Sequence, residues 1–213
     1  MTHELILRNA RIIDPSQKHD GIADVAFAGG RVSGFGRDLP AGPGTRVREM
    51  AGAIVTPGLI DLHTHVYWGG TSLGIDADAF CRTSGVTTSV DTGSAGPGNF
   101  AGFRAHVIER SQARILAYLH VSFAGIYGFS KTIMVGESED PRLMAPREAV
   151  AVAEANRDVI DGTLKVGALG DATVLAVHEG AFDYADTRGE HMTGNRRIAA
   201  EGVILRGQWW HPV

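Results

Sequence analysis

The stretch Thr56-Pro57-Gly58-Leu59-Ile60-Asp61-Leu62-His63-Thr64-His65-Val66 places two imidazoles one residue apart in an apolar run that reads as a β-strand. Side chains alternate across a strand, so Asp61, His63 and His65 share one face and Ile60, Leu62 and Val66 the other. Two neutral imidazoles on adjacent same-face positions suit a divalent cation, with zinc and its first-row neighbours as the natural candidates. Pro57-Gly58 breaks the chain before the strand, and Gly69-Gly70 turns it away afterwards. Ligands at the C-terminal end of a strand, beside a Gly-rich loop, are where an α/β barrel keeps its active site. Histidines also occupy half-exposed strands without metal, so the pair alone leaves both readings open.

Working outward, Glu4 to Ile13 and Ala23 to Phe35 read as short strands, the second broken by a hairpin turn at Gly29-Gly30. Asp76 to Ser84 reads as a short helix closed by Gly85. Val86 to Thr92 follows as a strand with Thr87, Ser89 and Asp91 on one face. Phe100, Phe103, Val107 and Ile108 form a helical stripe. Arg114 to Ser122 is a third strand, with Tyr118, His120 and Ser122 opposite Ile115, Ala117, Leu119 and Val121. Pro146 opens a helix expected to run from Arg147 to Ile160, and Tyr184 to Gly189 and Met192 to Arg206 read as turn-rich hairpins.

The segment from Thr56 to His65 resembles the first-strand signature of the amidohydrolase superfamily, in its dihydroorotase-like and deacetylase-like branch. Thr87-Thr88-Ser89-Val90-Asp91-Thr92-Gly93-Ser94-Ala95-Gly96 resembles that branch's second strand and following loop. Gly125-Ile126-Tyr127 through Val135-Gly136-Glu137 is similar to its segment after the third strand. Gly167-Ala168-Leu169-Gly170-Asp171-Ala172-Thr173-Val174-Leu175 resembles the closing strand of the family's small β-domain. The resemblance implies an α/β fold: a (β/α)₈ TIM-type barrel plus a small β-sandwich built from both termini. A barrel alone takes roughly 250 residues, and the chain has 213. The expectation is therefore a composite sandwich from residues 1–55 with 162–213, and a partial barrel of about three βα units over 56–161. An internal deletion of roughly five barrel units would produce that arrangement.

The resemblance also implies a chemistry. One or two divalent ions, zinc first among them, activate water for hydrolysis of an amide, a cyclic amide or an ester in a small-molecule substrate. His63 and His65 match the family's first two ligands. In the family they are joined by a carboxylated lysine, two further histidines and an aspartate that transfers protons, and no convincing match for these follows in this chain. Lys165 in Gly162-Thr163-Leu164-Lys165-Val166 superficially fits the lysine's context, while the residues after it fit the closing strand better. His178 and His191 are expected in solvent or turns. A catalytically incompetent remnant, binding metal weakly or not at all, is the alternative to a metal-dependent hydrolase.

Three more residues carry two readings each. His120 either approaches a metal or substrate or bonds a neighbouring polar group. Asp91 either orients a ligating histidine or caps the Gly93 to Gly98 turn. Glu137 is an acid in a polar loop, with solvation as the default. Lys and Arg number 20 against 24 Asp and Glu, and the net charge of -4 offers no basic stripe for nucleic acid. No apolar stretch has the length of a membrane span, and the N-terminus has no signal-like run, so a cytoplasmic protein is expected. The single cysteine, Cys81, excludes an intrachain disulfide framework and reads as a packing residue. Open edges on a three-stranded parallel sheet would invite pairing with another chain, making a homo-oligomer a possible state.

Overall fold

The structure is a computed structural model that describes residues 2–130, 132–136, 140–156, 170, 172–185 and 191–210. Its contacts divide it into two units. Met1–Leu59, Arg82–Gly85 and Gly162–Val213 form the first, Ile60–Cys81 and Val86–Asp161 the second.

The first unit begins with β1 (Leu5–Asp14), β2 (His19–Ala28) and β3 (Arg31–Gly36), an antiparallel meander. The turn between the last two falls at Gly29-Gly30, both at positive φ, as the sequence leads one to expect. β4 (Arg46–Glu49) and β5 (Ile54–Pro57) then lie parallel to β1. Alternation along these strands buries Leu5, Leu7, Ile12, Val25, Phe27, Val32 and Val55 in one apolar cluster.

The second unit opens with β6 (Leu59–Thr64), whose first residue belongs to the first unit. Helix α1 (Ala77–Ser84) follows, with Asp76 Oδ1 accepting from Ala79 N at 2.9 Å as an N-cap. Gly85, at φ +79°, ends it. β7 (Val86–Thr92) leads to α2 (Phe100–Phe103), a π-type turn over Arg104–Ile108 and β8 (Arg114–Tyr118). The sheet order is β6-β7-β8, and β7 and β8 run parallel. Val66, Ala77, Ala95, Phe100, Phe103 and Ile115 form its apolar cluster, where Tyr67 stacks on Phe103 at 4.6 Å between ring centroids. The short antiparallel pair β9 (Gly128–Phe129) and β10 (Met134–Val135) precedes α3 (Pro146–Ala155).

The chain then returns to the first unit as β11 (Ala172–Ala185), β12 (His191–Leu205) and β13 (Gln208–Trp210). A composite β-sandwich domain built from both termini is the expectation from sequence. The strands of both ends join one eight-stranded sheet, ordered β13-β12-β11-β5-β1-β2-β3 with β4 on β1. The reason is β5, which runs parallel to β1 and antiparallel to β11 and so links N-terminal and C-terminal strands in one ladder.

Other expectations change at their ends. Met192 to Arg206 forms hairpins with its neighbours but is less turn-rich than expected: nearly all of it belongs to β12, 15 residues long, antiparallel to β11 before it and β13 after it. Cross-strand pairing there overrides the poor strand propensity of Gly194 and Asn195, and two bulges absorb the irregularity. Residues 186–189 of the expected Tyr184 to Gly189 piece lie outside the described residues. The third strand of the second unit stops at Tyr118 rather than Ser122, because His120 N bonds Ala95 O at 3.0 Å and the chain leaves the ladder. Val121, expected on the packed face, is consequently exposed. Helix α3 ends at Ala155, and residues 157–160 of the expected helix lie outside the described residues. Among the described residues no helix is long and apolar enough to cross a membrane.

One buried hydroxyl links three segments of the first unit. Thr173 Oγ1 donates to Gly85 O at 2.6 Å and accepts from Leu59 N at 3.3 Å, with the side chain fully buried. Gly85 has no room for a side chain, since a Cβ there would lie 2.9 Å from Thr173 Cγ2. Thr173→Val keeps the shape and removes both bonds. It is expected to cost about 1–3 kcal/mol, read as a lower urea midpoint at unchanged slope. A midpoint equal to wild type would show that the bonds contribute nothing net.

Candidate metal centre

Strand β6 lies at the edge of its sheet and carries the histidine pair at its C-terminal end. His63 is the penultimate residue of the strand and is exposed, while His65 follows the strand and is half-buried. Thr64 and Val66 between and after them are buried. Leu62 departs from the expected packed face at 61% exposure. Asp61, expected beside the histidines for chemistry, turns to the backbone and accepts from His63 N at 3.0 Å.

The two imidazole centroids are 5.7 Å apart, with ring planes at 76°. Two imidazoles on one tetrahedral ion, at metal–nitrogen distances of about 2.0–2.1 Å, hold their centroids roughly 5 Å apart. The observed centroid spacing lies close to that value. The donor set fits as well, being two neutral nitrogen ligands of the kind zinc and its neighbours take.

What holds His65 is a relay from a buried carboxylate. Asp91, fully buried at the end of β7, accepts from Val66 N at 2.8 Å through Oδ2 and from Ser94 N at 2.7 Å through Oδ1. Ser94 is itself fully buried, and its Oγ lies 3.0 Å from His65 Nδ1. Of the two readings open for Asp91, the turn cap is what forms. The group touching His65 is Ser94, which reading the sequence did not single out. Its only signal is its place three residues after Asp91, inside a Gly-rich turn.

His120 also resolves to a bond with a neighbouring polar group. Its Nδ1 accepts from Ser122 N at 2.9 Å, so the neutral ring carries its proton on Nε2. A ring in that state offers no lone pair to a metal. It lies beside Gly93, where a Cβ would come 3.2 Å from His120 Cδ2. The loop crossing is tight at Gly96, where a Cβ would come 1.8 Å from Ser122 O, so glycine is required there.

Among the described residues no group of three or more His, Cys, Asp or Glu side chains gathers closely enough to share an ion. Lys165 and Glu137 lie outside the described residues. His178 and His191 stand on exposed strands rather than in turns, beside Glu201 at 3.2 Å and Asp183 at 2.8 Å respectively.

The chain is similar to known proteins over part of its length. The chain is 36% identical over 118 residues to a deacetylase of Agrobacterium fabrum, covering 55% of this chain and 29% of that one. It is 44% identical over 62 residues to a dihydroorotase of Geobacter sulfurreducens, covering 29% of this chain and 15% of that one. The chain thus spans less than a third of the length of these curated relatives. A crystal structure of a dihydroorotase shares the fold at a TM-score of 0.84 and 16% identity, over 97% of this chain and 99% of the solved one. No protein-family model matches.

Cys81 stands apart from this chemistry. It is buried on α1 with Sγ 3.6 Å from Ser89 Oγ. Burial chiefly, with some repulsion from Asp78, Asp61 and Asp76, pushes its thiol from 9.0 up to about 11. The unfolded chain releases this proton first, so the thiol's contribution to stability is complete below pH 9 and lost as the pH rises towards 11. Alkylation of the folded protein is expected to be slow, with its pH inflection near 11. Rapid alkylation at pH 8 would contradict a buried, protonated thiol.

Proposed function

We propose that this chain, which belongs to the amidohydrolase superfamily over the stretch it shares with its deacetylase and dihydroorotase relatives, is a metal-dependent hydrolase of amide, cyclic amide or ester bonds. The observation that carries this reading is the histidine pair at the end of β6, with its rings 5.7 Å apart and one of them anchored from behind. His63 and His65 would hold a divalent ion, zinc first among the candidates. Lewis acidity toward water and toward a carbonyl oxygen is what such a group supplies when bound.

The chain's own residues do the rest by placement. Strand β6 brings both rings to one strand end, the usual location of active sites in α/β folds of this kind. The Asp91 carboxylate fixes the backbone at Val66, immediately after His65, so that ring has a defined origin. Exposure of His63 leaves the pair open to a small-molecule substrate.

A second reading has its own support. With no group of three ligands among the described residues, the pair is an open half-site. On this reading the chain binds an ion weakly and does not hydrolyse by itself, and a second copy is the partner that could complete the site.

Native mass spectrometry with a hydrolysis panel of N-acetyl amino acids, dihydropyrimidines and hydantoins separates the two. The hydrolase reading expects one or two zinc-like ions on wild type, their loss in His63→Ala and His65→Ala, and activity abolished by a chelator. Activity that survives both variants and chelation would overturn a metal-based mechanism. An ion-bearing but inactive chain would leave the second reading standing.

A further inference from the structure

We propose that Ser94 is a positioning residue for His65: its Oγ accepts the Nδ1 proton, fixes the ring's tautomer and so presents Nε2 as the free ligand nitrogen. The inference deepens the metal reading of the histidine pair and rests on it.

Three observations converge. Ser94 Oγ lies 3.0 Å from His65 Nδ1, within hydrogen-bond distance of that nitrogen. Ser94 is fully buried, and its backbone N is held at 2.7 Å by the buried carboxylate of Asp91, so the hydroxyl has a fixed origin. The same carboxylate holds Val66 N at 2.8 Å, so Ser94 and the residue next to His65 are anchored to one group.

A neutral imidazole has one protonated and one free nitrogen. A ring that ligates through Nε2 must therefore carry its proton on Nδ1, and the Ser94 hydroxyl, which accepts as well as donates, is placed to take that proton. His120 provides the internal contrast. Its Nδ1 faces a backbone N–H, which can only donate, so its ring is held in the opposite tautomer. The two histidines thus differ in what stands at Nδ1: a hydroxyl able to accept beside His65, and a backbone N–H that can only donate beside His120.

The test compares the 213-residue chain as wild type, Ser94→Ala and Ser94→Cys, the last keeping the volume with a weaker acceptor. Long-range proton–nitrogen NMR of the metal-free protein, assigned against His65→Gln, reads the tautomer directly. Zinc competition titration reads the affinity. The expected result is a single Nδ1-protonated His65 in wild type, a mixture of tautomers in Ser94→Ala, and zinc affinity lower by about 10–100-fold with little change in melting temperature. Ser94→Cys is expected to fall between them, and it carries the comparison if Ser94→Ala does not fold. An unchanged His65 tautomer, or zinc binding equal to wild type, in the variants would overturn the role of Ser94. Wild type that binds no zinc would instead overturn the metal reading, and the tautomer comparison would still decide for or against Ser94.

Discussion

The site depends on one buried anion. Removing a carboxylate from water is costly unless donors replace the lost solvation, and Asp91 finds two in the backbone, Val66 N and Ser94 N. Those donors belong to the segments after β6 and after β7, so the solvation of a single group joins the ends of two neighbouring strands. His65 precedes one of these points and Ser94 occupies the other. The placement of His65 is therefore tied from beneath to a carboxylate that bonds the backbone on either side of the Ser94–His65 contact.

In the first unit an analogous role falls to short strand β5. Without it, the meander β1-β2-β3 and the ribbon β11-β12 would be separate sheets with open edges between them. Hydrogen bonds to β1 on one side and β11 on the other make them one sheet, and Val55 at its centre is fully buried among both sets of strands. Beyond the sheet the ribbon continues with little cover, and the cross-strand pair Val177 and Ile198 is exposed, Ile198 at 64%.

Local signals carry much of this fold. β7 matches its expected bounds because its residues from Val86 to Thr92 are nearly all buried and flanked by glycines, which sharpens both ends. Helix α1 is legible from its Asp76 cap and Gly85 stop, and the hairpin at Gly29-Gly30 from its turn chemistry. Features decided by distant partners are not legible. Met192 to Arg206 contains Gly194 and Asn195 and looks like turns until β11 is known to pair along it. The joining of both ends in one eight-stranded sheet follows from the pairing of β5 with residues more than a hundred positions away. At the site, the His63 and His65 spacing is visible in the sequence because strand periodicity alone sets it. The partner of His65 is not, since Ser94 reaches it through a loop path that no periodicity encodes.

The central claim is that the two rings at the end of β6 share a divalent ion. Anomalous diffraction from crystals grown with zinc, recorded on both sides of its absorption edge, tests this most directly. The account expects a peak between His63 and His65, about 2.0–2.1 Å from one nitrogen of each ring. Zinc bound elsewhere on the chain, with neither imidazole within coordination distance, would contradict it.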